Sequence, residues 1–91
     1  MEPVKASDIV LSLAGHDSGR LYVAAGASGG YAMLADGRNR RLAAPKRKSA
    51  KHMRTVGRVD PTLAEKLSNG QLQDSEIRRA LAEFRSRQPK D

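Results

Sequence analysis

The stretch from Ile9 to Ala25, IVLSLAGHDSGRLYVAA, decides how the rest of the chain is expected to fold. Apolar residues occupy every second position on both sides of a polar tip that runs from Gly15 to Gly19. Those apolar positions are Ile9, Leu11 and Leu13 before the tip and Leu21, Val23 and Ala25 after it. Alternation of this kind around a Gly-, Asp- and Ser-rich segment is typical of two antiparallel strands with one buried face. We therefore predict a β-hairpin with strands at 8–13 and 20–25.

The segment after this hairpin predicts a second pair of strands. Tyr31–Ala35 alternates between two faces and is expected to be the third strand. The following dipeptide, Asp36-Gly37, is favoured in two-residue hairpin turns because both central residues of such a turn take a positive φ. Arg38–Ala43 is therefore predicted to return as the fourth strand.

Proline limits where the fourth strand can end. Pro45 has no N–H to donate to a strand ladder, so 46–50 is expected to be an exposed connection. Lys51–Val56 is then predicted as a fifth strand with Met53 facing inward. Five short strands joined by tight turns are typical of a small antiparallel barrel.

The last third of the chain predicts a helical hairpin. Asp60 is a good N-cap, and Pro61 suits the first helical position, where no N–H is needed. Gly70 stands where a left-handed residue ends a helix, and a second helix is expected to begin at Asp74 or Ser75. Its apolar stripe consists of Ile77, Leu81 and Phe84. A stripe at this spacing indicates either a helix packed on the strands or a helix that docks on a protein partner.

Several short segments, in this order, resemble the KOW motif of ribosomal proteins and transcription factors. They are Ala14-Gly15-x-Asp17-x-Gly19-Arg20, Leu21-Tyr22-Val23, Leu34-Ala35-Asp36-Gly37, Arg41-Leu42, Pro45-Lys46-Arg47-Lys48 and Lys51-His52. The set is similar to the small bacterial KOW-domain RNA-binding proteins, which in turn resemble the eukaryotic and archaeal type of large-subunit ribosomal protein fourteen. One departure is Ser18, where that family would carry a lysine. The resemblance covers roughly Asp8 to Val56 and implies that the barrel is SH3-like. The predicted fold is therefore mainly β, with a five-stranded SH3-like barrel over residues 1–59 and the helical hairpin over 60–91 packed on it as one structural unit.

Composition excludes several classes of protein. Ninety-one residues suit one small domain, in which a shielded catalytic cleft would be hard to build. The chain has no cysteine, and His16 and His52 are its only histidines, so no metal site or other cofactor is expected. No apolar run reaches the roughly 20 residues that a membrane span requires, and no secretory signal is recognisable. These features predict a soluble, cytoplasmic protein that is not an enzyme.

The positive charge is concentrated in one segment. Nine Lys/Arg and no Asp/Glu lie between Gly37 and Val59, whereas the remaining residues hold eight Lys/Arg and ten Asp/Glu. A cationic block of this kind is either a solvated face that maintains solubility or the footprint of a polyanionic partner. Because solubility requires neither clustering nor a lack of acids, the block favours nucleic acid.

The predicted function is therefore RNA binding without catalysis. The predicted phosphate contacts are Arg38, Arg40, Arg41, Lys46, Arg47, Lys48, Lys51 and Arg54, followed by Arg20 and His16 from the hairpin tip. The tip itself is read in two ways, as a simple turn or as a contact to the RNA backbone. The resemblance implies structured RNA of the large ribosomal subunit as the partner, ribosomal protein neighbours, and a ribosome-associated location. The alternatives are a protein-interaction module that uses the barrel or the C-terminal helix, and a DNA-binding protein of the nucleoid type.

Overall fold

A five-stranded antiparallel sheet and two helices make up residues 3–88, the part of the chain that the computed structural model describes. The elements, in chain order, are β1 (Asp8–Ser12), β2 (Leu21–Ser28), β3 (Tyr31–Ala35), β4 (Lys46–Ser49), β5 (Met53–Arg58), α1 (Pro61–Ser68) and α2 (Asp74–Ser86). A single 3₁₀ turn, Ala50–His52, separates β4 from β5. The ends of the predicted segments 1–59 and 60–91, namely residues 1, 2 and 89–91, lie outside this description.

The predicted hairpin is confirmed as β1 and β2. Ile9 pairs with Val23 and Leu11 with Leu21, and both glycines that bound the tip take positive φ angles near 90°. The expectation of one buried face is wrong, because both faces of the hairpin are covered. Ile9 and Val23 belong to one buried cluster, whereas the intervening Val10 belongs to a second, which also contains Tyr22, Ala24, Ala32, Leu34 and Met53.

Two bulges interrupt the ladders of this sheet. The pairing of β2 with β3 shifts between Ala24 and Gly26, and the pairing of β1 with β5 shifts between Ile9 and Val10. An extra residue in one strand of a pair bends that strand and increases its twist. Bending of this kind lets a five-stranded sheet bury apolar residues on its inner face. The strand order is β4-β3-β2-β1-β5, so β4 and β5 form the two edges and the sheet is open.

The predicted fourth strand, Arg38–Ala43, is wrong. The Asp36 carboxylate accepts hydrogen bonds from the N–H groups of Arg38 and Arg40 at 2.9 and 2.8 Å, and this holds the backbone in a loop. Asp side chains often satisfy backbone donors two or more residues on, and here that preference overrides the two-residue hairpin turn. The strand that pairs with β3 is Lys46–Ser49, so the predicted exposed connection at 46–50 is wrong as well.

The fifth strand begins and ends two residues later than predicted. Lys51 and His52 lie in the 3₁₀ turn, and the strand runs from Met53 to Arg58. The inward orientation of Met53 is confirmed, because its side chain is buried in the same cluster as Val10 and Leu34.

The helix signals are confirmed. The Asp60 side chain accepts a hydrogen bond from the N–H of Leu63 at 2.9 Å, and Pro61 is the first residue of α1. Gly70 follows α1 with a φ of +74°. At the start of α2 the Gln73 N–H donates to Glu76 Oε1 at 3.1 Å, and the Glu76 N–H donates to the Gln73 carbonyl at 3.0 Å.

Helix α2 packs its apolar stripe on the outer face of the sheet. Ile77 and Leu81 are buried in the same cluster as Ile9, Val23 and Ala35, and Phe84 packs against that cluster. Gly57 accommodates the aromatic ring, since a Cβ at this position would lie 2.6 Å from Phe84 Cε1. The stripe is therefore core, and its two buried side chains are not available to a protein partner.

The loop between β3 and β4 ties α2 to the sheet by polar contacts. The Leu42 N–H donates to Asp74 Oδ1 at 2.8 Å, and Arg78 Nη1 donates to the Gly37 carbonyl at 2.6 Å. Gly37 has a φ of +77°, and a Cβ on it would collide with the Asp74 carbonyl. This glycine is thus required both by its conformation and by the approach of the helix.

We predict that Gly37→Ala lowers the free energy of unfolding by about 2–4 kcal/mol, because left-handed strain of about 1–2 kcal/mol adds to the collision with α2. The matched control is Gly70→Ala, since Gly70 has a similar φ of +74° but open space around it. Gly70→Ala should therefore lose only the free energy of unfolding that the left-handed strain accounts for, about 1–2 kcal/mol. Urea unfolding followed by circular dichroism measures both variants. Equal losses for the two variants would contradict the proposed close approach at Gly37.

Candidate functional site

A buried carboxylate of the hairpin tip contacts the cationic segment 37–59. Asp17 is only 5% exposed and accepts hydrogen bonds from Ser12 Oγ at 2.9 Å and from the Tyr22 hydroxyl at 3.2 Å. Two lysines of β4 reach the same carboxylate: Lys46 Nζ lies 2.7 Å from Oδ2, and Lys48 Nζ lies 3.1 Å from Oδ1. The tip of the β1–β2 hairpin is therefore bonded to strand β4.

The cluster sets the ionisation of Asp17. Burial alone would raise the pKa of Asp17, but hydrogen bonds from Lys46, Ser12 and Lys48 outweigh burial and hold that pKa well below its usual range. Burial, together with the charge and the hydrogen bond of Asp17, raises the pKa of Tyr22. Asp17 is consequently a permanent anion near neutral pH, and it neutralises charge inside the predicted contact segment.

Three of the predicted phosphate contacts have partners within the chain. Lys46 and Lys48 are paired with Asp17, and Lys48 is the more enclosed, with 11% of its side chain exposed and a further 2.9 Å hydrogen bond to the Ala14 carbonyl. Arg47 points the other way, and its guanidinium lies 3.8 Å from the centre of the Tyr31 ring, a cation–π contact. These contacts give β4 a structural role that the charge pattern did not indicate.

Five other predicted contacts are exposed and have no carboxylate within 4.0 Å in the stretch 3–88. Arg38, Arg40 and Arg41 lie on the loop between β3 and β4, and Lys51 and Arg54 lie at the junction of the 3₁₀ turn with β5. The loop and the junction are well-defined structures rather than free segments, because Asp36 and Asp74 bond the loop and β5 is paired with β1. Their cations are therefore presented to solvent.

The two predicted residues of the hairpin tip are both exposed. His16 lies between the positive-φ glycines 15 and 19, and Arg20 immediately precedes β2. Arg20 lines the same cavity as Arg38, because the start of β2 is adjacent to the end of β3. The structure thus brings Arg20 to the loop cations, whereas His16 has no identified contact with them.

Sequence reasoning missed three members of this region. Asp17 carried a signal, since it is the one acid in a glycine-bounded tip, but its lysine partners lie 29 and 31 positions away. Arg78 and Arg85 of α2 line the cavity of Arg20 and Arg38, although the helix lies far along the chain. No local pattern marks these two arginines as neighbours of the loop.

Two other acids contact the loop between β3 and β4. The Asp36 carboxylate accepts from backbone N–H groups of the loop, and Asp74 Oδ1 accepts from the Leu42 N–H. Buried Asp8 lies at the start of β1, where it accepts a hydrogen bond from Arg58 Nε at 3.1 Å. Arg58, the ninth cation of the block, is therefore paired.

No family model matches this chain, and the search of curated proteins found no similar protein. Between residues 3 and 88, no helix is long and apolar enough to cross a membrane. Nor does this part of the chain hold a cluster of three His, Asp or Glu side chains arranged to bind a metal ion.

We predict that Asp17→Asn lowers the free energy of unfolding by about 2–4 kcal/mol, because it leaves two partly buried lysines without a counter-charge. The double variant Asp17→Asn/Lys48→Met should recover part of this loss, since the more enclosed lysine is then replaced by an apolar side chain. Denaturant unfolding at neutral pH measures both. The pairing would be contradicted if the double variant lost more free energy of unfolding than Asp17→Asn and Lys48→Met lose together.

The same carboxylate predicts a dependence of stability on pH. The folded-state pKa of Asp17 lies below its unfolded value of about 3.9, so its contribution is complete well above 3.9 and is lost progressively as the pH falls from that value through the folded-state pKa. The stability difference between the wild type and Asp17→Asn should therefore be largest near pH 7 and shrink by about pH 2. Unfolding curves at several pH values test this. A difference that stays constant with pH would show that the charge of Asp17 is not the cause.

Proposed function

We propose that this chain is a non-catalytic RNA-binding protein whose exposed cations contact the sugar–phosphate backbone of structured RNA. The observation that carries the proposal is that the exposed cations of the β3–β4 loop and of the junction between the 3₁₀ turn and β5 have no carboxylate within 4.0 Å in residues 3–88. They are Arg38, Arg40, Arg41, Lys51 and Arg54, and the exposed residues Arg20 and His16 of the hairpin tip are proposed to join them. Lys and Arg side chains bind a polyanion by neutralising phosphates and releasing condensed counterions.

The available groups favour backbone contacts over base recognition. The chain has three aromatic residues, and two of them are occupied in packing: Tyr22 is buried, and Phe84 packs against Gly57. Tyr31 is 42% exposed but is covered on one side by Arg47. The chain therefore offers few aromatic surfaces on which single-stranded bases could stack. Exposed cations on a defined surface suit contacts to the backbone of folded RNA.

Structural pairing divides the proposed contacts into two kinds. The exposed cations are proposed to contact phosphates directly. Lys46 and Lys48 are proposed to act mainly through Asp17, by fixing the edge strand beside the loop, and Arg47 through its stacking on Tyr31. The contact set is thus smaller than the cationic block of the sequence.

The ribosomal part of the proposal rests on the resemblance to KOW proteins. The proposed fold type of the chain is an SH3-like barrel. Two features support it: the five-stranded antiparallel sheet is interrupted by bulges, and its first hairpin is bounded by glycines. The proposed partner is RNA of the large ribosomal subunit, with ribosomal proteins as neighbours. Cytoplasmic, ribosome-associated localisation follows from this proposal.

The proposal predicts a steep salt dependence. With about five phosphate contacts, log K for a labelled RNA hairpin should fall with log salt at a slope of roughly −3.5 to −4.5. The variant Arg40→Gln/Arg41→Gln/Lys51→Gln should reduce that slope by about 2–3. The control Lys5→Gln/Arg79→Gln/Arg87→Gln removes the same charge from other exposed positions and should change the slope much less.

Fluorescence anisotropy titrations over a range of KCl concentrations measure these slopes. A duplex DNA of the same length should bind more weakly than the RNA hairpin. Equal affinity for DNA would overturn the RNA assignment in favour of a nucleoid-type protein. Equal slopes for the two triple variants would remove the proposed surface.

Ribosome association is tested separately by sedimentation. At low salt the protein in a cell lysate should migrate with large subunits, and high salt should release it because phosphate contacts are screened. A protein that remains at the top of the gradient at low salt would contradict the ribosomal part of the proposal while leaving RNA binding to be judged by the titrations.

A further inference from the structure

Four arginines from three parts of the fold line one open cavity of about 340 Å³. Arg20 comes from the end of the hairpin tip, Arg38 from the loop between β3 and β4, and Arg78 and Arg85 from α2. Leu21, Leu81 and Ala82 supply apolar surface between them. The cavity is therefore formed only when the helix is packed on the sheet.

The two helix arginines are placed by the period of α2. They are seven positions apart, which is close to two helical turns or about 10.5 Å, so they lie on the same side of the helix. Leu81, between them, is buried against the sheet and holds this side of α2 over the start of β2. Arg78 is fixed further by its 2.6 Å hydrogen bond to the Gly37 carbonyl.

The charge of the cavity is strongly positive. Among the lining residues, Asp36 is the one that carries a carboxylate. Its Oδ1 already accepts two hydrogen bonds, from the backbone N–H groups of Arg38 and Arg40. No carboxylate in residues 3–88 lies within 4.0 Å of the guanidinium of Arg20, Arg38, Arg78 or Arg85. Four guanidinium groups thus face one partly satisfied acid, and a concave surface strengthens the potential that they create.

We propose that this cavity binds a phosphate group, and that α2 is consequently part of the RNA interface. The proposal rests on the RNA-binding function proposed above and extends it to residues outside the cationic block. Arginine suits this role because its planar, fixed set of N–H donors matches the oxygens of a phosphate and stays ionised at every relevant pH. The phosphate is supplied either by the RNA backbone or by a free phosphorylated molecule.

Variants of single arginines test the RNA arm. Arg85→Gln and Arg38→Gln should each weaken binding of the RNA hairpin about five- to tenfold and lower the salt slope by about 0.7–0.9, which corresponds to one phosphate contact. The matched control is Arg79→Gln, because Arg79 is an exposed arginine of the same helix that does not line the cavity. It should change the affinity less than twofold. Circular dichroism melting curves verify that α2 remains folded in each variant.

Inorganic pyrophosphate tests the free-phosphate arm. At constant ionic strength, a titration followed by nuclear magnetic resonance should give saturable shifts of the Nε–Hε signals of Arg38 and Arg85. The double variant Arg38→Gln/Arg85→Gln should abolish saturation at the remaining cavity arginines, Arg20 and Arg78. Arg79 should shift little in either protein.

The outcomes separate this proposal from the general one. If Arg85→Gln binds RNA as Arg79→Gln does while the loop triple variant loses affinity, the cavity proposal is overturned and the RNA-binding function stands. If the wild type does not bind RNA but pyrophosphate saturates the cavity, the function proposal fails and the phosphate site stands with a free phosphorylated ligand. Absence of both effects overturns both.

Discussion

The ion pairs between the buried Asp17 carboxylate and two lysines of β4 are the interaction on which the cationic side of the fold depends. Strand β4 has the sequence KRKS and contributes no apolar side chain to either cluster. Hydrophobic burial therefore cannot hold it at the edge of the sheet, and its own charges repel one another. The backbone ladder with β3 places the strand, and the buried Asp17 carboxylate adds the attraction that offsets the repulsion among its charges, because an ion pair is less screened in a partly buried site than at the surface.

Period-two geometry explains how one strand serves two purposes. Lys46 and Lys48 are two residues apart and reach inward to the same acid, whereas Arg47 between them lies over Tyr31. Once β4 is fixed, the loop from Asp36 to Pro45 is closed at both ends. The bond from Leu42 to Asp74 then ties its middle to α2. Exposed arginines on a loop held in this way lose less conformational freedom when they meet a partner than arginines on a free chain would.

Local signals were sufficient for much of the fold. The alternation around Gly15 and Gly19 located the first hairpin, Asp60-Pro61 located the start of α1, and the spacing of the apolar stripe located the buried side of α2. Each of these features depends on residues that are within about two turns or one hairpin of each other. The fourth strand was misplaced because the Asp36 side chain bonds backbone donors of the loop, which the Asp-Gly rule does not take into account.

The candidate site was less predictable than the fold because it depends on distant pairs. Charge counting located the cationic segment but could not distinguish lysines that pair with Asp17 from arginines that face solvent. Arg20 and Arg85 line the same cavity because of the direction in which α2 lies across the sheet. The spacing of residues in the sequence does not predict that direction.

The position of β4 at an edge of the open sheet has a consequence for self-association. An edge strand offers unpaired N–H and C=O groups to any other strand, and it is a common starting point for fibrils. In β4 the exposed cation is Arg47, so a second copy added antiparallel with the two Arg47 side chains opposite one another would bring like charges together. The arginine that stacks on Tyr31 thereby also opposes growth of this edge into an extended sheet of identical molecules.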